Sequence, residues 1–263
     1  MATEEISRYA IETNLDVLLI QEPYTYKDRV FGLGTGVKIV QAERGTPWAA
    51  LAVFRRDCTV TQLGHITTTQ LAALHIQASG ISVNLVSLYC KATKESKTDM
   101  RRAHRELTLA LDQLNKDGVI IGADTNARSR LWYPDRLDER GQKMEQLIAL
   151  HALSIMNEKQ EHPTYEGPCG SSNIDVTLTR GCRNAVVRGW RVGSGASQSD
   201  HDLITFEIRP CGSRWADPPP RLQRYRIDTS KFRLLRTSVK KRLAVTPQAH
   251  ETQTICWVTQ TSS

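Results

Sequence analysis

Apolar residues fall along this chain in two rhythms. Val17-Leu-Leu-Ile20 and Val119-Ile-Ile-Gly122 are short runs with no polar interruption. Such runs predict strands covered on both faces. Ala50–Phe54 and Leu71–Ile76 read the same way, and Ile81–Tyr89 alternates with Ile81, Val83 and Leu85 on one side. Ile174–Leu178, Val186–Val192 and Leu203–Ile208 complete the predicted strands. The second rhythm is helical. Over 97–115, Met100, Ala103, Leu107, Ala110, Leu111 and Leu114 form one stripe, which Asp117-Gly118 ends. Shorter helices are predicted over 3–13, with Ile6, Tyr9 and Ala10 inward, and over about 139–151, with Met144, Leu147 and Ile148 inward.

Strands outnumber helices and come in runs. That order favours an α/β fold of stacked sheets flanked by helices over a regularly alternating doubly wound sheet. After Ile208 the pattern stops, and Pro218-Pro219-Pro220 cannot continue a central strand. The expected organisation is one domain over 1–208, followed by a poorly ordered basic linker or tail over 209–263 with a helix around 230–243.

The predicted strands run into polar groups. Val17–Ile20 leads to Gln21-Glu22-Pro23-Tyr24, and Val119–Gly122 to Ala123-Asp124-Thr125-Asn126. Ser172-Asn173 precedes Ile174-Asp175, and Ser199-Asp200-His201 precedes the strand from Leu203. Ligands collect at strand ends, where a rigid scaffold meets open loops. Cleaving a phosphodiester needs a hard cation, a proton acceptor for water and donors for the phosphoryl oxygens. Glu22 and Asp200 are carboxylates suited to magnesium. Asp175 and His201 could form a pair that fixes one imidazole tautomer, with Asn126 and Tyr89 as neutral donors. Each residue also has a plainer reading: Glu22 a solvated loop acid, Asp124 and Asn126 an Asx-turn, Asp175 a solvent-facing strand residue, Tyr89 core. Taken together, the plainer readings lose.

Composition changes this picture only slightly. Lys and Arg outnumber Asp and Glu by 35 to 28 in 263 residues, giving +7. A positive field favours polyanionic partners. Residues 209–263 hold eleven of the cations and three acids, so the predicted domain itself is close to neutral. The six cysteines show no CxxC spacing and are expected to be reduced. No secretion signal or apolar run of membrane length is present, so an intracellular protein with no membrane partner is expected.

The ordered set Gln21-Glu22-Pro23-Tyr24, Ser87-Leu-Tyr89, Gly122-Ala-Asp124-Thr-Asn126, Ser172-Asn-Ile-Asp175 and Ser199-Asp200-His201 resembles the endonuclease/exonuclease/phosphatase superfamily. The QEPY form and Asn126-Ala-Arg-Ser-Arg-Leu-Trp132 are similar to endonucleases of insect-type non-LTR retrotransposons. The resemblance covers roughly 3–208. It implies a four-layer α/β sandwich of two mixed sheets packed face to face, with helices outside. It also implies a Mg2+-dependent endonuclease (Mn2+ as a substitute) that nicks double-stranded DNA, leaving a 3′-hydroxyl and a 5′-phosphate. Glu22 and Asp200 would hold the metal. Asp124 would handle the attacking water, Asn126 and Tyr89 the phosphate, and Asp175 would orient His201. Segment 163–172 sits where the family often carries a DNA-contacting hairpin.

Members of the superfamily begin with a strand bearing an asparagine, whereas Met1 falls at the first helix. The expectation is a retroelement fragment that lacks this strand, which should weaken activity. A nuclear setting and a downstream reverse transcriptase domain are implied by resemblance alone. Two other functions fit the sequence: a small-molecule phosphatase or phosphodiesterase of the same fold, and a non-catalytic remnant that binds nucleic acid through its basic tail.

Overall fold

Every residue of the Val17–Gln21 strand is buried, because it is covered on both faces. Val17 and Leu19 join one core cluster, and Leu18 and Ile20 join another with Ile6, Ala10 and Leu15. The period-two geometry of a strand thus places successive side chains in two different cores. The computed structural model describes residues 2–92, 96–114, 118–132, 136–168, 170–193, 199–211 and the backbone of 253–259.

In chain order the elements are α1 (Ala2–Glu12), β1 (Val17–Gln21), β2 (Thr25–Tyr26), β3 (Arg29–Val30), β4 (Lys38–Val40), β5 (Ala49–Val53), β6 (Thr59–Gln62), β7 (Leu71–Ala78) and β8 (Ile81–Tyr89). There follow α2 (Ser96–Gln113), β9 (Gly118–Asp124), α3 (Glu139–Leu150), β10 (Ser154–Ile155), β11 (Tyr165–Gly167), β12 (Gly170–Ser172), β13 (Asp175–Arg180), β14 (Ala185–Gly193), β15 (Leu203–Pro210) and β16 (Gln253–Thr259). Two mixed sheets result, in the orders β14-β15-β16-β1-β5-β4 and β10-β13-β9-β8-β7-β6.

The layers follow from what each face buries. Val17, Leu19, Leu51, Phe206 and Trp190 of the first sheet meet Leu74, Val83, Leu85 and Ile120 of the second. The second sheet's other face packs Val86, Leu88, Ile121 and Val176 against Leu107, Leu111, Met144 and Leu147 of α2 and α3. The first sheet's outer face takes α1. This is the expected four-layer sandwich. No described helix is long and apolar enough to cross a membrane.

The predicted strands and helices are present, with ends shifted by a few residues. Sequence patterning did not foresee β4, β6, β10 or the β2–β3 hairpin. These are short, and several are partly exposed. The predicted helix around 230–243 lies outside the described residues. A further difference concerns β16. It lies between β15 and β1, parallel to β1 with Val17 opposite Ile255 and Gln21 opposite Thr259, and antiparallel to β15. The sequence reading expected no element there. Residues 253–259 therefore supply a central strand next to β1.

This placement has a direct covalent test. Thr205 and Cys256 are register partners on β15 and β16, and Cα atoms of antiparallel partners lie within disulfide range. Thr205→Cys should crosslink to Cys256 under mild oxidation of the full chain, read by peptide mapping. A chain that stays folded yet yields no such peptide would contradict the β16 register.

Candidate active site

Side chains at the ends of five strands meet at one edge of the sandwich. In the second sheet, Tyr89 at the end of β8 is the parallel partner of Asp124 at the end of β9, and Asp124 is the antiparallel partner of Asp175 at the start of β13. Register alone thus lines up three predicted site residues. From the first sheet, β1 delivers Glu22, and His201 stands two residues before β15.

A buried polar link joins the two sheets here. Gln21 Nε2 donates to Ser87 Oγ at 2.8 Å and to the Gly122 carbonyl at 3.2 Å, while Ser87 Oγ donates to the Ile20 carbonyl at 2.8 Å. Tyr89 then donates its hydroxyl to Glu22 Oε1. Trp48 stacks on the Tyr89 ring with centroids 6.0 Å apart, and its carbonyl accepts the Glu22 N–H. Lys91 lies over the Trp48 ring at 4.4 Å.

Glu22 and Asn126 both have left-handed backbones, with φ of 49° and 46°. Non-glycine residues seldom adopt this region, at a cost of roughly 1–2 kcal/mol, and such departures cluster at functional sites. Asn126 is held by Asp124: its backbone N–H donates to Oδ1 at 2.9 Å and its side-chain amide to Oδ2 at 3.1 Å. The Asx-turn expected as a plainer reading is present and is part of the site.

Asp124, Asp175 and His201 are nearly inaccessible. His201 Nδ1 lies 3.0 Å from Asp175 Oδ2, so that nitrogen carries the proton and donates, while Nε2 faces Asp124 Oδ2 at 4.0 Å. Tyr165 packs edge-on against the imidazole at 4.9 Å, and Ser199 Oγ accepts the His201 backbone N–H. Thr164 Oγ1 accepts the Asp175 N–H, and Asn157 donates to the Asp175 carbonyl. Burial, then repulsion from Asp175, holds the Asp124 carboxyl well above the ordinary carboxylate range. Burial works against charge on His201, but attraction and hydrogen bonding to Asp175, reinforced by Asp124 and Glu22, outweigh it and push the pKa up to about 9. Burial also raises Glu22.

Asp200 is half-buried, its carboxylate close to Gly167 on the β11–β12 hairpin and its carbonyl accepting the Glu166 N–H. Among the described residues, the acid-and-imidazole group whose ligand atoms lie within 4.8 Å of one another is Asp124, Asp175 and His201. His201 Nδ1 is already committed to Asp175, and magnesium prefers oxygen. We therefore read that trio as proton-handling groups. Carboxylates buried with raised proton affinity nevertheless fit a site that receives a cation, which would offset their charge.

Arg140 did not stand out in the sequence. From the first turn of α3 its guanidinium donates to the carbonyls of Cys90 (2.6 Å), Thr125 (3.0 Å) and Lys91 (3.2 Å), just past Tyr89 and Asp124. Gly141 lets the start of α3 lie against the Arg128 loop, because a Cβ there would meet the Arg128 carbonyl oxygen at 1.9 Å. Asp138 caps the helix by accepting the Gly141 N–H at 2.6 Å. Asp138-Glu-Arg-Gly141 was thus the available signal: an N-cap, then an arginine next to a glycine.

Residues 83–205 match a family model described as endonuclease-reverse transcriptase. The chain is 24% identical over 239 residues to the 115 kDa protein of the type-1 retrotransposable element R1DM of Drosophila melanogaster, covering 88% of this chain and 23% of that protein. It therefore spans about a quarter or less of the curated relatives it matches. The solved endonuclease domain of TRAS1, a telomere-specific non-LTR retrotransposon, superposes with a TM-score of 0.66 and 29% identity, covering 79% of this chain and 92% of that one. A mannosyl-6-phosphatase from Bacteroides thetaiotaomicron shares the fold at a TM-score of 0.51 and 12% identity, covering 79% and 90%. The chain is thus similar, in sequence and in fold, to endonuclease domains of non-LTR retrotransposons.

Two measurements probe this geometry. His201 gains stability from its charge in the fold. That contribution is complete below its unfolded pKa of about 6.5 and is lost as pH rises through about 9. Asp124, which binds its proton more tightly when folded, acts in the same direction. The thermal midpoint of metal-free protein should fall between pH 6.5 and 9, and His201→Gln should lessen that fall at its upper end, leaving the part due to Asp124; a flat profile for the native chain would refute the assignment. Arg140→Met should leave carbonyls unpaired at a cost of about 1–3 kcal/mol. Faster hydrogen exchange at Cys90 and Thr125 would report it, and unchanged exchange at both would rule out the clamp.

Proposed function

We propose that this domain is a divalent-metal-dependent endonuclease that hydrolyses a phosphodiester of double-stranded DNA. The observation that carries the reading is the convergence of Glu22, Tyr89, Asp124, Asn126, Asp175 and His201 on one edge of the sandwich, in a chain similar to retrotransposon endonuclease domains.

Glu22 would hold the cation, with Asp200 as a second carboxylate on the His201 side. Mg2+ is the expected ion and Mn2+ a substitute. When bound, it would act as a Lewis acid on the phosphoryl oxygens. Asp124 orients the attacking water and takes its proton, a role suited to a carboxyl whose proton affinity has been raised toward neutrality. Asn126 fixes that carboxylate and offers its amide to the phosphate. His201, charged at neutral pH and steadied by Asp175, donates through Nε2 to a phosphoryl oxygen as negative charge grows in the transition state. Tyr89 keeps Glu22 in place through its one O–H, which would reach the phosphate only in exchange for that bond. Water attacks in line, a P–O bond forms to its oxygen and the bond to the 3′-oxygen breaks, that oxygen taking a proton from solvent. The products are a 3′-hydroxyl, able to prime reverse transcription by a polymerase domain of the same polyprotein, and a 5′-phosphate.

The test is nicking of supercoiled plasmid in magnesium. Asp124→Ala and His201→Ala should each slow nicking by roughly 10²–10⁴-fold, and EDTA should abolish it. Nicking indifferent to both substitutions would overturn the assigned roles. Hydrolysis of a sugar phosphate with plasmid left intact would favour a small-molecule phosphatase.

A further inference from the structure

Immediately after Glu22 the chain forms a feature the proposed chemistry does not use. Strands β2 and β3 pair through a two-residue turn, Lys27-Asp28, with Tyr26 opposite Arg29. Both turn residues have positive φ, 50° and 58°. A turn of this kind ordinarily takes Asn-Gly or Asp-Gly, so Lys27 occupies a position its side chain disfavours. The hairpin is nevertheless pinned. Gln41 accepts the Val30 N–H and donates to the Asp28 carbonyl, both at 2.9 Å, and Thr46 donates to the Asp28 carboxylate at 2.6 Å.

This rigid hairpin displays rings to solvent. Tyr24 is 42% exposed, and Tyr26 and Phe31 are each 56% exposed. Phe31 lies edge-on to Tyr24 at 6.3 Å and tilted against Tyr26 at 6.1 Å, and Lys27 Nζ stands 5.3 Å from the Tyr26 ring centre. Three exposed aromatics with Lys27 and Arg29 beside them combine the two means by which single strands are gripped, base stacking and phosphate attraction. The patch begins two residues from Glu22, so a strand whose phosphate lies at the catalytic edge would have flanking nucleotides near it.

We propose that the β2–β3 hairpin is a stacking platform for an unpaired or unstacked nucleobase flanking the scissile phosphate. A preset surface suits this task because rings that are already ordered lose little freedom on binding. The tilt between neighbouring rings leaves the outer faces of Tyr26 and Phe31 as the contacts. Lys27 and Arg29 supply attraction for the backbone on either side. The inference takes its location from the nuclease reading, but its test measures binding alone.

The experiment uses the full chain carrying His201→Ala, in EDTA, with fluorescently labelled single-stranded and duplex oligonucleotides. Tyr26→Ala and Phe31→Ala should each weaken single-strand binding by roughly 5- to 100-fold, as expected for loss of one stacked base. The slope of log affinity against log salt should stay unchanged. Lys27→Ala with Arg29→Ala should instead flatten that slope. A 2-aminopurine in the strand should be quenched on binding to the native hairpin and not to Phe31→Ala. Unchanged affinity in both aromatic variants, or affinity lost together with salt slope, would overturn the platform. So would sedimentation showing that copies associate through this patch and that Phe31→Ala separates them. If the native chain fails to nick plasmid but the aromatic variants lose binding as described, the platform stands and the nuclease reading falls.

Discussion

The site depends on a hydrogen bond across the middle of the sandwich. Gln21 is wholly buried, and its amide reaches from the first sheet to Ser87 and Gly122 of the second, while Ser87 returns a bond to Ile20. A buried amide is costly unless paired, so the two sheets are stable at one spacing and one offset at this end. The residues that follow are those of the candidate site. Glu22 follows Gln21 directly, Tyr89 lies two residues beyond Ser87, and Asp124 two beyond Gly122. An apolar core alone would tolerate sliding. The polar link removes that freedom where small displacements matter most, and Arg140 does the same for the strand ends from behind.

Much of the fold was legible because its signals are local. Continuous apolar runs marked β1 and β9, and a 3.6-residue stripe marked α2. The site residues were legible for a different reason: each follows or opens a strand readable from apolar pattern, so polar residues at those points were informative as a set. Partners separated by long stretches of chain were not legible. Trp48 enters only because β5 lies beside β1, and Arg140 only because α3 begins against the loop at Arg128. Asp175 shows the limit plainly. Its alternation with apolar neighbours was equally consistent with solvent exposure, yet it is buried against His201, since β13 has one face toward the opposite sheet and the other toward helices. For β16, polar flanks and a long separation from its neighbours hid a strand whose partners come from distant parts of the chain.

The electrostatics of the pocket favour the protonated forms of Asp124 and His201. Two carboxylates and an imidazole share a volume nearly closed to water, so their charges are settled by one another before any substrate arrives. In the proposed reaction, a cation near Glu22 and a phosphate near His201 would exchange those internal compensations for external ones.

The position of β16 bears on how the molecule reaches its native state. A sheet whose middle strand comes from residues 253–259, distant in sequence from β1, cannot be zipped progressively as the ribosome extends the chain. The strands carrying Glu22 and leading from His201 must wait, each with an unpaired edge, until residues 253–259 have been made. Contacts of such long sequence separation are entropically slow to form. Nascent forms of this domain accordingly pass through a stage in which its second sheet can assemble while its first remains open.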